Sequence, residues 1–391
     1  MSLKQAQHCL STSPPHDWKN HMKKIKAAAL AALAAVSLAC SGTHVASAQT
    51  EGTVKIWDAP SNPPIAVTTG KPQEWVKQVD HKTLLSFNVY SPSMRRDVPV
   101  AVIPATDPSG NHVRNAPTLY LLNGAGSAEQ NQDWLKLYPA KEYFAGKRVN
   151  VVIPQAGAFS YYTDWVRDDV SSPYINGPQK WETFLTEELP GPIERVVGAN
   201  DRRAIAGVSM SATSALVLPQ HNPGMYKAAA SFSGCAATSS PHGYNFARLT
   251  VNRASGTGDF TTVTPEKMWG PMNGEYNRYN DALVNAEKLR GTALYVSSGT
   301  GLAGRPDQVS YLMGLGAPQA TAQAASAILQ VEGGVIEAAV NKCTHDLKAK
   351  LDGLNIPAHF ELRNMGTHSW PYWTDDMDRA WSTTIAPALG V

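Results

Sequence analysis

A short run, Gly207-Val208-Ser209-Met210-Ser211, follows an apolar strand candidate (Arg203–Val208) and opens a helical pattern (Ser211–Pro219). That is the context of a nucleophile elbow: a serine on a sharp strand-to-helix turn, its hydroxyl thrown clear of the sheet and small neighbours sparing the turn from clashes. The last position is Ser211 where the usual pattern has glycine. The N–H of Met210 would lie beside a helix N-terminus, where it can stabilise an oxyanion. A serine hydroxyl needs a base, and in this arrangement the chain order is serine, acid, histidine. His368, in the loop Met365-Gly366-Thr367-His368-Ser369-Trp370, suits the base; His345 sits in a helical pattern and His359 within a strand. A second oxyanion donor should come from the loop after an earlier strand, and Leu122-Asn123-Gly124-Ala125-Gly126 supplies it through the N–H of Ala125. Two acids compete for the third role. Asp307 lies in the loop after strand candidate Ala293–Ser298, and Glu337 some thirty residues later. Position alone favours Asp307 slightly. The chemistry implied is acyl transfer through a serine ester.

These groups need a rigid frame. Strand candidates at Thr83–Tyr90, Val98–Ile103, Thr118–Asn123, Val149–Pro154, Arg203–Val208, Ala228–Ser233, Ala293–Ser298 and Ala358–Leu362 alternate with helical patterns, among them Trp181–Leu189 and Met377–Leu389. Such alternation predicts an α/β domain with a mostly parallel sheet covered on both faces. With the elbow, it predicts an α/β-hydrolase fold: one domain, 83–391, with insertions. The stretch 235–292 reads as a loop-rich insertion, and the Ala-rich 309–330 as an extra helix. Residues 49–82, with Pro60, Pro63, Pro64 and Pro72, read as a wrap-around segment or short edge strands.

The chain has 391 residues, 43% hydrophobic and 17% charged. That balance excludes a disordered, collagenous or coiled-coil protein. Lys23, Lys24 and Lys26 precede the apolar run Ala27–Ala39, and Ala46-Ser47-Ala48 follows. This is the order of a secretory signal peptide cleaved after Ala48, and Met22 is an alternative start. Residues 1–48 would then leave 29 basic against 31 acidic side chains, with no basic patch for nucleic acid. Cys235 and Cys343 remain, and an exported chain permits their pairing as a disulfide. No cofactor is expected and no metal-ligand cluster stands out. Gly299-Thr300-Gly301-Leu302-Ala303-Gly304 matches a dinucleotide fingerprint, but Arg305-Pro306-Asp307 follows where a helix would have to start.

Several runs together resemble the antigen 85 mycolyltransferase family of esterase-type α/β-hydrolases. They are Ser91-Pro92-Ser93-Met94 with Arg96-Asp97, Tyr120-Leu121-Leu122 with Gly124, and Tyr162-Thr163-Asp164-Trp165. Lys180-Trp181-Glu182-Thr183-Phe184-Leu185, Gly207–Met210 and Gly366-Thr367-His368-Ser369-Trp370 followed by Tyr372-Trp373 complete the set. The resemblance implies an extracytoplasmic transferase moving mycoloyl groups between trehalose esters, from monomycolate to dimycolate, or onto cell-wall arabinogalactan. It supports Ser209 as nucleophile, His368 as base, and Ala125 and Met210 as oxyanion donors, and it moves the acid to Glu337. It implies that Ser369 and Trp370 line a sugar site, and puts Asn123 and Gly126 where the family carries a sugar-binding aspartate and arginine. The family's small disulfide loop after Trp165 is absent, and the long segment 305–330 suggests a corynebacterial-type relative. A secreted carboxylesterase and a non-catalytic wall-binding protein on the same scaffold are the rival expectations.

Overall fold

The computed structural model describes residues 51–391, so the segment expected to be a signal peptide, with its expected cleavage after Ala48, lies outside the described residues. Nine strands form one sheet: β1 (Thr53–Ile56), β2 (Leu85–Ser91), β3 (Arg96–Ile103), β4 (Ala116–Leu122), β5 (Asn150–Pro154), β6 (Ala199–Val208), β7 (Ala228–Phe232), β8 (Ala293–Ser298) and β9 (His359–Leu362). Their order is β1-β2-β3-β5-β4-β6-β7-β8-β9. The first three strands and the β3–β5 pair are antiparallel; from β5 to β9 every pair is parallel. This is the mixed α/β-hydrolase sheet expected from the strand–helix alternation. The Pro-rich segment contributes β1, an edge strand.

The central parallel strands β4, β5, β7 and β8, and the second half of β6, are buried on both faces, as helical crossovers require. Along β4, Leu119 and Leu121 enter one hydrophobic cluster while Tyr120 and Leu122 enter the other. Along β6, Ala204, Ala206 and Val208 share a face, with Ile205 opposite. Alternation of that kind fixes register, because a one-residue slip would exchange the two cores. β4 sits between β5 and β6, so the chain moves to one side of it and then to the other. The crevice beyond the carboxyl ends of strands at such a reversal is where α/β sheets bind ligands.

Three helices carry the rest: α1 (Met210–His221), α2 (Gly334–Gly353) and α3 (Trp370–Ala380). The last begins seven residues before the Met377 expected from hydropathy. Ser369 precedes it in extended conformation and Pro371 occupies the first turn, where its missing N–H costs nothing. The Ala-rich stretch is two helices, Val309–Gly314 and Gln319–Ile328, rather than one. Gly316, at φ 93°, and Pro318 break it. The insertion 235–292 holds helices at Pro241–Val251, Pro265–Trp269 and Glu275–Tyr279.

Candidate active site

Ser209 sits between β6 and α1 with φ 57° and ψ −118°, a left-handed conformation that a serine adopts only under constraint. Its N–H donates to the carbonyl of Phe232 at 2.8 Å, tying the turn to β7. Gly207 is obligatory, since a Cβ there would lie 2.2 Å from the carbonyl oxygen of Ser211. Ser211 explains its own departure from glycine. Its Oγ accepts from the N–H of Val208 at 2.9 Å and lies 3.0 Å from the Leu122 carbonyl, so it bolts the elbow to β4.

The base and acid arrive from distant segments. His368 Nε2 lies 2.7 Å from Ser209 Oγ, and His368 Nδ1 lies 2.7 Å from Glu337 Oε2. Glu337, in the first turn of α2, is wholly buried. Its other oxygen accepts from Ser233 Oγ and from the N–H of Gly299, each at 2.7 Å. Oε1 is therefore held by two donors, and Oε2 is left to the imidazole. Trp373 donates Nε1–H to Ser233 Oγ at 3.0 Å and packs its ring edge-on to His368, 4.9 Å between centroids. Ser233 and Trp373 hold the acid and the ring in place. Sequence reasoning assigned neither of them a role. Ser233, at φ 56° just beyond β7, offered only a serine at a strand end as a signal.

The loop after β4 brings Ala125 to the same edge. A Cβ on its neighbour Gly124 would come within 3.8 Å of the Ser209 Cβ. The carbonyl of Ala125 accepts from Phe159 at 2.9 Å, anchoring the loop. Among the described residues, neither the Ala125 N–H nor the Met210 N–H has an acceptor. Two free N–H groups beside a serine hydroxyl are the elements of an oxyanion hole.

Other expectations meet different geometry. Asp307 does not touch His368; its carboxylate accepts from Thr367, Tyr372 and Gly304. Asn123 is fully enclosed: its amide donates to the Pro154 carbonyl and accepts from the Trp134 N–H, so it braces β4, β5 and the following loop and offers a ligand nothing. Gly126 is also buried, with the carboxamides of Gln130 and Gln132 crowded over it. Ser369 Oγ turns inward, 3.4 Å from Asp307 Oδ1. Trp370 is half-buried, edge-to-face with Trp134 and Trp373 at 5.1 and 5.3 Å. The glycines of the dinucleotide-like run serve packing. Gly301 has φ 87°, and a Cβ there would meet the Gly334 carbonyl at 2.3 Å.

Behind the site, Asp376 on α3 accepts from Ser297 at 2.8 Å and pairs with Arg363, just after β9. Burial pushes its carboxyl up to about 6, with the Arg363 charge opposing. The pair joins the two ends of the segment that carries His368. Cys235, two residues past Ser233, is joined to Cys343, which lies on α2 six residues past Glu337.

A family model described as "Putative esterase" matches residues 91–383. The diacylglycerol acyltransferase/mycolyltransferase Ag85A of Mycobacterium tuberculosis is 30% identical over 308 residues, 78% of this chain and 81% of the relative. The enzyme described as diacylglycerol acyltransferase/mycolyltransferase Ag85C of Mycobacterium leprae is 28% identical over 301 residues, 74% of this chain and 78% of the relative. Among solved structures, Mycobacterium tuberculosis MPT51 (FbpC1) superposes with a TM-score of 0.55 at 23% identity, covering 78% of this chain and 96% of the other. The serine hydrolase FphF of Staphylococcus aureus does so at 0.54 and 16%, covering 78% and 98%. The two superpositions bear on fold alone. The family match spans three-quarters of the chain, and on that ground, with the Ag85A alignment, the chain belongs to the esterase family and, within it, to the antigen 85-type mycolyltransferases.

Proposed function

We propose that this protein is a serine-dependent acyltransferase that moves mycoloyl groups between trehalose esters, converting trehalose monomycolate to dimycolate. The observation that carries the reading is the unbroken hydrogen-bonded chain from Ser209 Oγ through His368 to the buried Glu337. His368 Nε2 takes the serine proton as Oγ attacks the ester carbonyl. The N–H groups of Ala125 and Met210 receive the tetrahedral oxyanion, and one such donor contributes about 3 kcal/mol to lowering the barrier. Glu337 holds Nδ1–H and stabilises the imidazolium. Trehalose departs with the proton from His368 and leaves an ester on Ser209. A hydroxyl of a second trehalose ester then gives its proton to the same nitrogen and attacks that ester. Transfer prevails over hydrolysis only where the sugar fills the pocket and excludes water. Trp370, half-buried two residues past His368, is the surface on which that sugar stacks.

Arabinogalactan is a further acceptor for the same acyl-enzyme, and export to the cell envelope fits the Cys235–Cys343 bond, which needs an oxidising compartment. Incubation with trehalose monomycolate tests the proposal. Trehalose dimycolate should appear, together with an acylated Ser209 peptide. Free mycolic acid without dimycolate would instead make the protein a carboxylesterase. No product and no labelling of Ser209 by a serine-directed inhibitor would leave a wall-binding protein.

A further inference from the structure

We propose that Asp307 is a positioning residue, a buried carboxylate that fixes the histidine-bearing loop so that the imidazole of His368 meets Ser209. The inference rests on the serine–histidine reading above and assigns a task to a residue outside the Ser209–His368–Glu337 chain. Asp307 is wholly buried. One oxygen accepts from Thr367 Oγ1 at 2.6 Å; the other accepts from Tyr372 O–H at 2.6 Å and from the N–H of Gly304 at 2.8 Å. Thr367 immediately precedes His368 and Tyr372 follows it by four residues. The carboxylate therefore grips the chain on both sides of the base.

The grip extends toward the acid. The main-chain carbonyl of Asp307 accepts from Ser326 Oγ at 2.7 Å, on the helix Gln319–Ile328. That helix runs through the widened turn Leu329–Gly333 into α2, which bears Glu337. The N–H of His368 closes the circuit by donating to the carbonyl of Gly333 at 3.1 Å. Asp307 thus stands at a node between the loop of the base and the helix of the acid. Three donors, from Thr367, Tyr372 and Gly304, converge on this one buried side chain. Such convergence fixes the orientation of a general base, where a misplacement of about 1 Å can cost about 100-fold in rate.

The test compares Asp307→Ala, Asp307→Asn and Thr367→Val with wild type. Readouts are the rate of Ser209 phosphonylation by a fluorophosphonate, kcat and KM on a p-nitrophenyl ester, and Tm. Asp307→Ala should lower the labelling rate and kcat by about 10- to 100-fold with KM within about threefold. Asp307→Asn should recover much of that loss. The Gly304 N–H demands the amide oxygen, and the Thr367 hydroxyl can reverse to accept from the amide nitrogen. Thr367→Val, which leaves the carboxylate its other two donors, should lower kcat severalfold and keeps the test available if Asp307→Ala fails to fold. A folded Asp307→Ala with wild-type kcat overturns the proposal. So does an Asp307→Asn as inactive as a Glu337→Gln protein, because Asp307 would then act by its charge in the proton relay. None of these readouts needs a mycolate. Loss of dimycolate synthesis with these patterns intact would therefore count against the functional reading alone.

Discussion

Glutamine at position 337 alters the site by one atom. Glu337 Oε1 faces two donors, the Ser233 hydroxyl and the Gly299 N–H, both at 2.7 Å. A peptide N–H cannot reverse, so a carboxamide at this position must keep its oxygen there. Its NH2 is then forced into the place of Oε2, 2.7 Å from His368 Nδ1. That nitrogen must become the bare one, and the ring proton moves to Nε2, the atom 2.7 Å from Ser209 Oγ. The imidazole now donates to the serine when it should accept from it. The same tautomer reversal in a serine protease costs ~10⁴ in kcat, or about 5.5 kcal/mol of barrier. Glu337→Gln should therefore lose about 10³–10⁴ in kcat on a p-nitrophenyl ester. Folding should be nearly unaffected, because shape and the Oε1 bonds persist. Intact-mass spectrometry should find no acyl-Ser209 on the time scale at which wild type is saturated. Glu337→Ala inverts the ranking. It forces no tautomer and should keep more activity than the glutamine variant. It should also be less stable, having left two buried donors unpaired at about 1–3 kcal/mol each. A Glu337→Gln protein within tenfold of wild type, or one more active than Glu337→Ala, would refute the reasoning.

Gly207→Ala should abolish activity and strongly destabilise the chain, since its methyl group would lie 2.2 Å from the Ser211 carbonyl oxygen; wild-type esterase turnover in that variant would contradict the elbow. Cys343→Ser opens a loop of 108 residues and should cost about 2–5 kcal/mol in urea titration; an unchanged midpoint would show the bond to be dispensable. Asp133 is fully buried and accepts from the N–H groups of Leu135 and Lys136, and burial pushes its carboxyl up to about 6. The folded state then holds a proton that the unfolded chain has released above about pH 4, so stability contributed here falls as pH rises from about 4 to 6, by up to about 3 kcal/mol. The difference in unfolding free energy between wild type and Asp133→Asn should change by that amount between pH 4 and 7, and a constant difference would remove Asp133 from the account.

Much was legible in residue order. The elbow is a local device: Gly207, Ser209 and a following helix are contiguous, and the steric demand at Gly207 involves only Ser211, four residues on. Strands β4, β5, β7 and β8, and the second half of β6, announced themselves because burial on both faces makes each a nearly unbroken apolar run. His368 stood out as a histidine in a glycine-flanked loop after a strand, just ahead of a helix. The choice of acid was not local. Glu337 and Asp307 are both carboxylates within reach in sequence, and their tasks depend on how α2 and the Arg305–Asp307 turn pack against one loop. Only the tertiary structure turned Glu337 onto the imidazole and Asp307 onto Thr367 and Tyr372. It likewise enclosed Asn123 between strands, turned Ser369 inward, and drew in Ser233 and Trp373, whose roles carry no signal until β7 and α3 lie side by side. Periodicity and turn chemistry act between near neighbours and can be read along the chain. The direction of a buried hydrogen bond depends on which donors a distant segment presents, and that is decided only when the core closes.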